Sequence, residues 1–328
     1  MRPALSALLA CILAFPAAIP AACAAPGSAA QTEAGKLNWT IDADPKQRSK
    51  GEVQLALTRR TANSTWMHSN TRPLAGLIGL KAAQLGAESG NTVSFVLDKE
   101  AGAFVCEGVA RRWHGTGECV FHANAGFASE LADRGYGRPS ESQHFSLALH
   151  DIGRSYIDEL GRQGYARPTV ADLVRAGDHG ATLDYLKAMG GHGYRVGNLA
   201  ALIGMRDHGV TPDYVSELAR LGLGDLSADE VVRLRDHGVS AQFVGDAARH
   251  GYRFDTSDLI RLRDHGVTSE YLGELKTLGY GGLAAEDIAG LRDHGVTADF
   301  IRRVNASGGS RRSVAELVSL RSGGWAER

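Results

Sequence analysis

The triplet Asp-His-Gly occurs five times in this chain, at Asp178-His179-Gly180, Asp207-His208-Gly209, Asp236-His237-Gly238, Asp264-His265-Gly266 and Asp293-His294-Gly295. A carboxylate beside an imidazole could ligate a metal, relay a proton or respond to pH near neutrality. Spacing decides among these. Successive copies lie 29, 29, 28 and 29 residues apart. Each copy therefore belongs to its own structural unit, about one helix diameter of ~10 Å from the next. A zinc ion gathers its ligands within about 2 Å, so one ion cannot collect them, and no metal is expected. Periodic residues serve a frame before they serve a switch, which ranks a pH sensor below a structural role. Aspartate in the last turn of a helix opposes the macrodipole and needs a partner. The candidates are the preceding arginines Arg206, Arg235, Arg263 and Arg292, a neighbouring histidine, or free N–H groups at the next helix start. We expect an inter-repeat hydrogen-bond ladder through Asp and His.

Other chemistry is sparse. There is no HExxH, no Gly-x-Ser-x-Gly, no P-loop and no GxGxxG in a strand-turn-helix setting. Of four cysteines, Cys11 and Cys23 lie near the start, which leaves Cys106 and Cys119. A lone pair in an exported protein points to one disulfide, against the alternative of two buried thiols. No catalytic residue and no cofactor is expected.

The elements that carry the triplets are legible from a second marker. Glycine recurs at 135, 164, 193, 222, 251, 279 and 308. Eight residues before each stands an aromatic: Phe127, Tyr156, Tyr185, Tyr214, Phe243, Tyr271 and Phe300. Two interleaved ladders at one period mean repeat architecture. Ser227 and Glu230 form a capping box. Gly238 suits the left-handed turn that ends a helix. Thr211, Ser240, Thr268 and Thr297 begin the second helix of each unit, and Pro212 fits a first helical position. Helices of about ten residues are too short to stand alone. Their apolar stripe, with the seven aromatics as repeat core, must be buried on neighbouring copies, as in an α-solenoid or a compact stack of helical hairpins. The array spans residues 124–326. Its ends are degenerate: Asp151-Ile152-Gly153 is read as a first copy lacking histidine, and Ser322-Gly323-Gly324-Trp325 as the last.

Residues 37–122 alternate like antiparallel β structure. Val53, Leu55 and Leu57 share a face, as do Val93, Phe95 and Leu97. Asp98–Gly102 reads as a turn, followed by strands at 103–109 and 117–121. A turn centred on Arg112-Trp113 would set Cys106 opposite Cys119. Leu74–Leu85 reads as a short helix on the sheet. Trp39, Trp66 and Trp113 would form either a ligand platform or ordinary core and rim packing. His68, His114 and His122 lack ligand spacing. The helix from Phe127 follows the last strand directly, so the two parts are expected to pack together. The fold class is α+β: a small antiparallel β domain with one disulfide, then a helical-hairpin array.

Residues 1–24 read as a signal peptide and 25–36 as a linker. Arg2 precedes the uncharged run Leu5–Ile19, and Ala22-Cys23-Ala24 fits the cleavage rule. An uncleaved anchor and a lipoprotein acylated at Cys23 are the alternatives. No later segment could span a membrane. Charge is balanced, with 36 basic and 37 acidic residues, which argues against a nucleic-acid partner.

The run Gly102-Ala103-Phe104-Val105-Cys106-Glu107-Gly108, the later Gly117-Glu118-Cys119-Val120-Phe121 and the Asp-His-Gly-Val-Thr units resemble an uncharacterised group of bacterial exported proteins. The repeats are also similar to those in the extracytoplasmic tails of antibiotic-sensor-type membrane metallopeptidases. That resemblance covers about residues 90–326. The peptidase motif is absent here, so its zinc and activity do not carry over. What it implies is an envelope-facing sensing or interaction module. The expected function is a non-catalytic periplasmic or secreted scaffold that binds a protein or cell-envelope component. The alternatives are a module that senses cell-wall glycan or peptide through the β domain, and an unrecognised enzyme.

Overall fold

A computed structural model describes residues 37–60, 65–308 and 310–324. The signal-peptide and linker readings, Cys11, Cys23 and Trp325 lie outside these residues. Six strands form one antiparallel sheet: β1 (Leu37–Asp42), β2 (Glu52–Arg60), β3 (Thr65–Pro73), β4 (Asn91–Lys99), β5 (Gly102–Arg111) and β6 (His114–Ala123). Their order is β3-β2-β1-β6-β5-β4. The alternation places Trp39, Ile41, Val53, Leu55, Leu57, Val93, Phe95, Phe104 and Cys106 on one buried face. The opposite face leaves Val105, Val109 and Val120 exposed.

β5 and β6 are joined at Arg112-Trp113, with φ of 49° and 68°. Two left-handed residues match the twist of a two-residue hairpin, but they strain side chains other than glycine. The strain is held by the short helix beside it. Trp113 N donates to Leu85 O at 2.6 Å and Arg112 N to Ala87 O at 2.9 Å. This turn sets the register in which Cys106 faces Cys119, and the two form a disulfide.

Three local expectations need correction. β1 and β3 were not anticipated as strands. β1 alternates with Leu37, Trp39 and Ile41 buried, and β3 presents Trp66, His68, Asn70 and Arg72 inward instead of an aliphatic row. Leu74–Leu85 is not one helix. It is a 3-10 turn at Leu74–Gly76, a bridge pairing Ile78 with Val96, and a five-residue helix at Ala82–Gly86. At Gly79 φ is +100°, and an added Cβ would stand 3.2 Å from Ser94 O, so the chain hugs β4 there.

Fourteen helices follow among the described residues, in two sets. The ladder helices are Glu141–Leu149, Val170–Asp178, Leu199–Asp207, Ala228–Asp236, Thr256–Asp264, Ala285–Asp293 and Val314–Ser322, of which the middle five end at the Asp-His-Gly marker. The ring helices carry the aromatics: Ala125–Asp133, Arg154–Arg162, Leu183–Gly191, Pro212–Arg220, Ala241–Arg249, Ser269–Leu275 and Ala298–Gly308. Successive helices of each set pack together, the first ring pair through Arg134–Asp158 and Arg154–Glu130, so the array is two parallel rows with a core between them. Gly238 (φ 68°) ends its helix, and Val239 N closes back on Leu234 O at 2.9 Å. This hydrogen bond satisfies an orphan carbonyl and buries Val239 at no exposure.

Sheet and array share one core. Phe145, from the first ladder helix, meets Phe104 and Phe121 edge-on at 5.6 and 5.4 Å. Lys99 pairs with Asp151 at 2.5 Å. The helix Arg154–Arg162 starts at Gly153, which has no capping side chain. The Glu100 carboxylate lies there instead, accepting from Ser155 N at 3.4 Å, a favourable charge for a helix start.

Candidate functional site

The structure brings the periodic side chains together between neighbouring repeats. Each histidine donates from Nδ1 to the aspartate of the next marker: His179 to Asp207 at 2.8 Å, His208 to Asp236 at 2.7 Å, His237 to Asp264 at 2.7 Å and His265 to Asp293 at 2.7 Å. The carboxylate can only accept, so Nδ1 carries the proton. The row closes on Ser322, whose hydroxyl stands 3.4 Å from His294 Nδ1. Thus the partner of each aspartate is the preceding repeat's histidine, not the adjacent arginine.

The arginines have another task. Arg206 lies over Tyr185 at 5.5 Å, Arg235 over Tyr214 at 5.2 Å, Arg263 over Phe243 at 5.3 Å, Arg292 over Tyr271 at 5.2 Å and Arg321 over Phe300 at 5.4 Å. Each guanidinium covers the ring of the preceding repeat, a favourable cation–π geometry. Under it, the tyrosine hydroxyl donates to the carbonyl after the next marker: Tyr185 to Val210 at 2.9 Å, Tyr214 to Val239 at 2.7 Å and Tyr271 to Val296 at 2.8 Å. Phe243 has no hydroxyl, and there Arg263 Nη1 donates to Val267 O at 3.0 Å. Two different residues thus satisfy the same buried carbonyl position. The seven ring residues are all buried.

The ladder pairs are roughly half exposed; His237 and Asp264 are 40% and 46% exposed. Exposed pairs contribute little each. In a double-mutant cycle of His237→Ala and Asp264→Ala we expect a coupling of about 0.5–1 kcal/mol by urea unfolding. A coupling of zero would leave the ladder as geometry without stability.

The tyrosines titrate together with the fold. Burial pushes the phenols of Tyr185, Tyr214 and Tyr271 up to about 12, from about 10 in an open chain. The folded state keeps protons that the unfolded chain releases between those values. Stability is therefore complete below about pH 10 and is lost as pH rises through about 12. We expect phenolate absorbance and loss of helical circular dichroism to rise together in an alkaline titration. Phenols that ionise near pH 10 with the helices intact would contradict this.

The first junction departs from the pattern, and here the sequence reading needs a further correction. The first marker is not Asp151-Ile152-Gly153. Helix Glu141–Leu149 is capped by His150, as Val170–Asp178 is by His179, and Asp151 takes the left-handed glycine position with φ 60°. The frame is Leu149-His150-Asp151-Ile152, and the histidine is present. It donates through Nε2 to Asp178 at 3.0 Å. Gly177 stands where later repeats have arginine, and an added Cβ would come 2.6 Å from the His150 Cβ. His150 is accordingly only 12% exposed, and its ring meets His68 of β3 edge-on at 5.2 Å.

The tryptophans do not form one platform. Trp39 is fully buried and donates to Glu107 O at 3.0 Å. Trp113 lies under Arg48 at 5.2 Å. Trp66 stands apart, stacked with His68 and edge-on to Phe145. His114 approaches Asp42 at 3.3 Å. No group of three or more His, Cys, Asp and Glu among the described residues is placed to hold a metal ion, and none of their helices is long and apolar enough to cross a membrane.

Sheet, disulfide and helical rows define an α+β protein headed by a bridged antiparallel sheet and built out by repeated helical pairs. No family model, curated protein or solved structure matches the chain.

Proposed function

We propose that this chain is an exported, non-catalytic scaffold whose helical array binds a macromolecular partner in the periplasm or outside the cell. One observation carries the reading. The periodic side chains are spent on holding neighbouring repeats together, by His–Asp bonds, arginine–ring stacking and tyrosine–carbonyl bonds. What varies is on offer to a partner. Six residues after each ring the chain has Asp133, Arg162, Gly191, Arg220, Arg249, Thr277 and Ala306, all exposed. A periodic frame with non-periodic surface positions is how repeat proteins build extended recognition surfaces. The disulfide supports export, since such bonds persist in oxidising compartments.

The test is fractionation followed by cross-linked capture from envelope material, using the full chain and the surface variant Asp133→Lys/Arg220→Glu. We expect the mature chain outside the cytoplasm and one captured protein that the variant loses. A mature chain confined to the cytosol overturns the reading. So does sedimentation with purified cell wall while no protein is captured, which would move the function to the β domain.

A further inference from the structure

The junction between sheet and array encloses a cleft of about 230 Å³, lined by Arg59, Trp66, Phe145, Ser146, His150 and Asp178 among others. We propose that this cleft binds a small carboxylate carried on a ring, of the size of one acidic sugar or one aryl acid.

The volume sets the size. At about 30 Å³ per water it holds roughly eight waters' worth of ligand, below a drug-sized site. The lining sets the chemistry. Arg59 lies over the Phe145 ring at 5.0 Å and has no ion pair among the described residues. Of the acids nearby, Asp151 is paired with Lys99, while Asp178 is held by His150 and keeps its own charge. Burial pushes both His68 and His150 below the ordinary imidazole value, so at neutral pH the cation facing the cleft is Arg59. A half-buried guanidinium without a carboxylate is matched by a planar anion that can take two N–H bonds at once. Trp66, Phe145 and Leu149 supply an apolar wall for the ring. Ser142 and Ser146, one helical turn apart, add hydroxyls for the rim of the ligand.

The cleft also lies where the repeat rule is broken. Every later junction fills this place with an arginine over an aromatic ring. Here Gly177 has no side chain to place over a ring; His150 packs against it instead and meets β3. A ligand seated there would touch the β domain and the first rung of the ladder at once. This inference does not depend on a macromolecular partner for the array.

Calorimetric titration of the full chain tests it, with phenylacetate and glucuronate as probes and phenylacetamide and glucose as their uncharged counterparts. At about 10 mM, a Kd of about 1 mM would nearly saturate the site. We expect at least one carboxylate to bind and its neutral counterpart to bind about tenfold or more weakly. Which carboxylate binds identifies the source of the ring. Arg59→Gln should weaken binding about 10- to 100-fold. Ser146→Leu fills the cleft from the helix side, leaves Arg59 in place, and should abolish binding with the melting temperature retained. Failure of both carboxylates, equal binding of the neutral probes, or unchanged binding in either folded variant overturns the proposal.

Discussion

Tyr214→Ala should destabilise the array by about 3–5 kcal/mol and divide its unfolding into two steps. Tyr214 is 6% exposed. Its ring is held between the core and Arg235, and its hydroxyl satisfies Val239 O. Truncation removes the ring contacts, uncovers the arginine and leaves a buried carbonyl without its donor, each of which has a cost. In a stack, each repeat contacts only its neighbours, so stability is a sum of local and interface terms. A weakened interface in mid-array separates the repeats on either side. Urea unfolding followed by helical circular dichroism should change from one transition to two, with the repeats beyond residue 239 lost first. One unaltered transition would mean the interface contributes little. Tyr214→Phe is the informative companion. At the Phe243 junction an arginine already serves the equivalent carbonyl. We therefore expect Tyr214→Phe to cost about 1 kcal/mol or less, within the range for a single hydrogen bond, as Arg235 takes the place that Arg263 has next door.

Replacing both cysteines, Cys106→Ala with Cys119→Ala, should cost about 2–4 kcal/mol. The bridge closes a loop of sequence separation 13, and a loop near that length is worth roughly 3 kcal/mol in the denatured chain. Both residues are buried, Cys106 completely, and they join the strands that bear Phe104 and Phe121 beneath Phe145. The loss should therefore fall on the sheet and the first helical pair. Melting watched by Trp39 and Trp66 fluorescence should move down, while the transition of the distant C-terminal repeats moves far less. An equal shift of both would mean that sheet and array unfold as one unit. A shift near zero would mean that the hairpin register is held by its turn and core alone.

Much of the fold was legible in local sequence. Capping residues such as Ser227 and Thr211, and glycines such as Gly238, act through hydrogen bonds to residues within one helical turn. Local spacing is enough to read them. The pairing of Cys106 with Cys119 was legible for the same reason, because a two-residue turn fixes the register of the strands it joins. The recurrence of Tyr185, Tyr214 and Tyr271 at one phase announced a buried seam, since only a stack hides such a stripe.

The sequence by itself thus determined the helical pairs, their caps, their period and the hairpin that carries the disulfide. Tertiary structure decided which groups meet across larger separations. The Trp39 bond to Glu107 spans 68 residues and the Tyr214 bond to Val239 spans 25. Three kinds of partner could satisfy Asp207 equally well on paper; only the way one repeat lies on the next selects His179 and sends Arg206 to a ring. Likewise β3 became a strand by pairing with β2, not through its own pattern. The cleft exists because Arg59 and Trp66 of the sheet come to lie beside Phe145, His150 and Asp178 of the array. Such contacts depend on where the chain returns in space, and no local spacing encodes that.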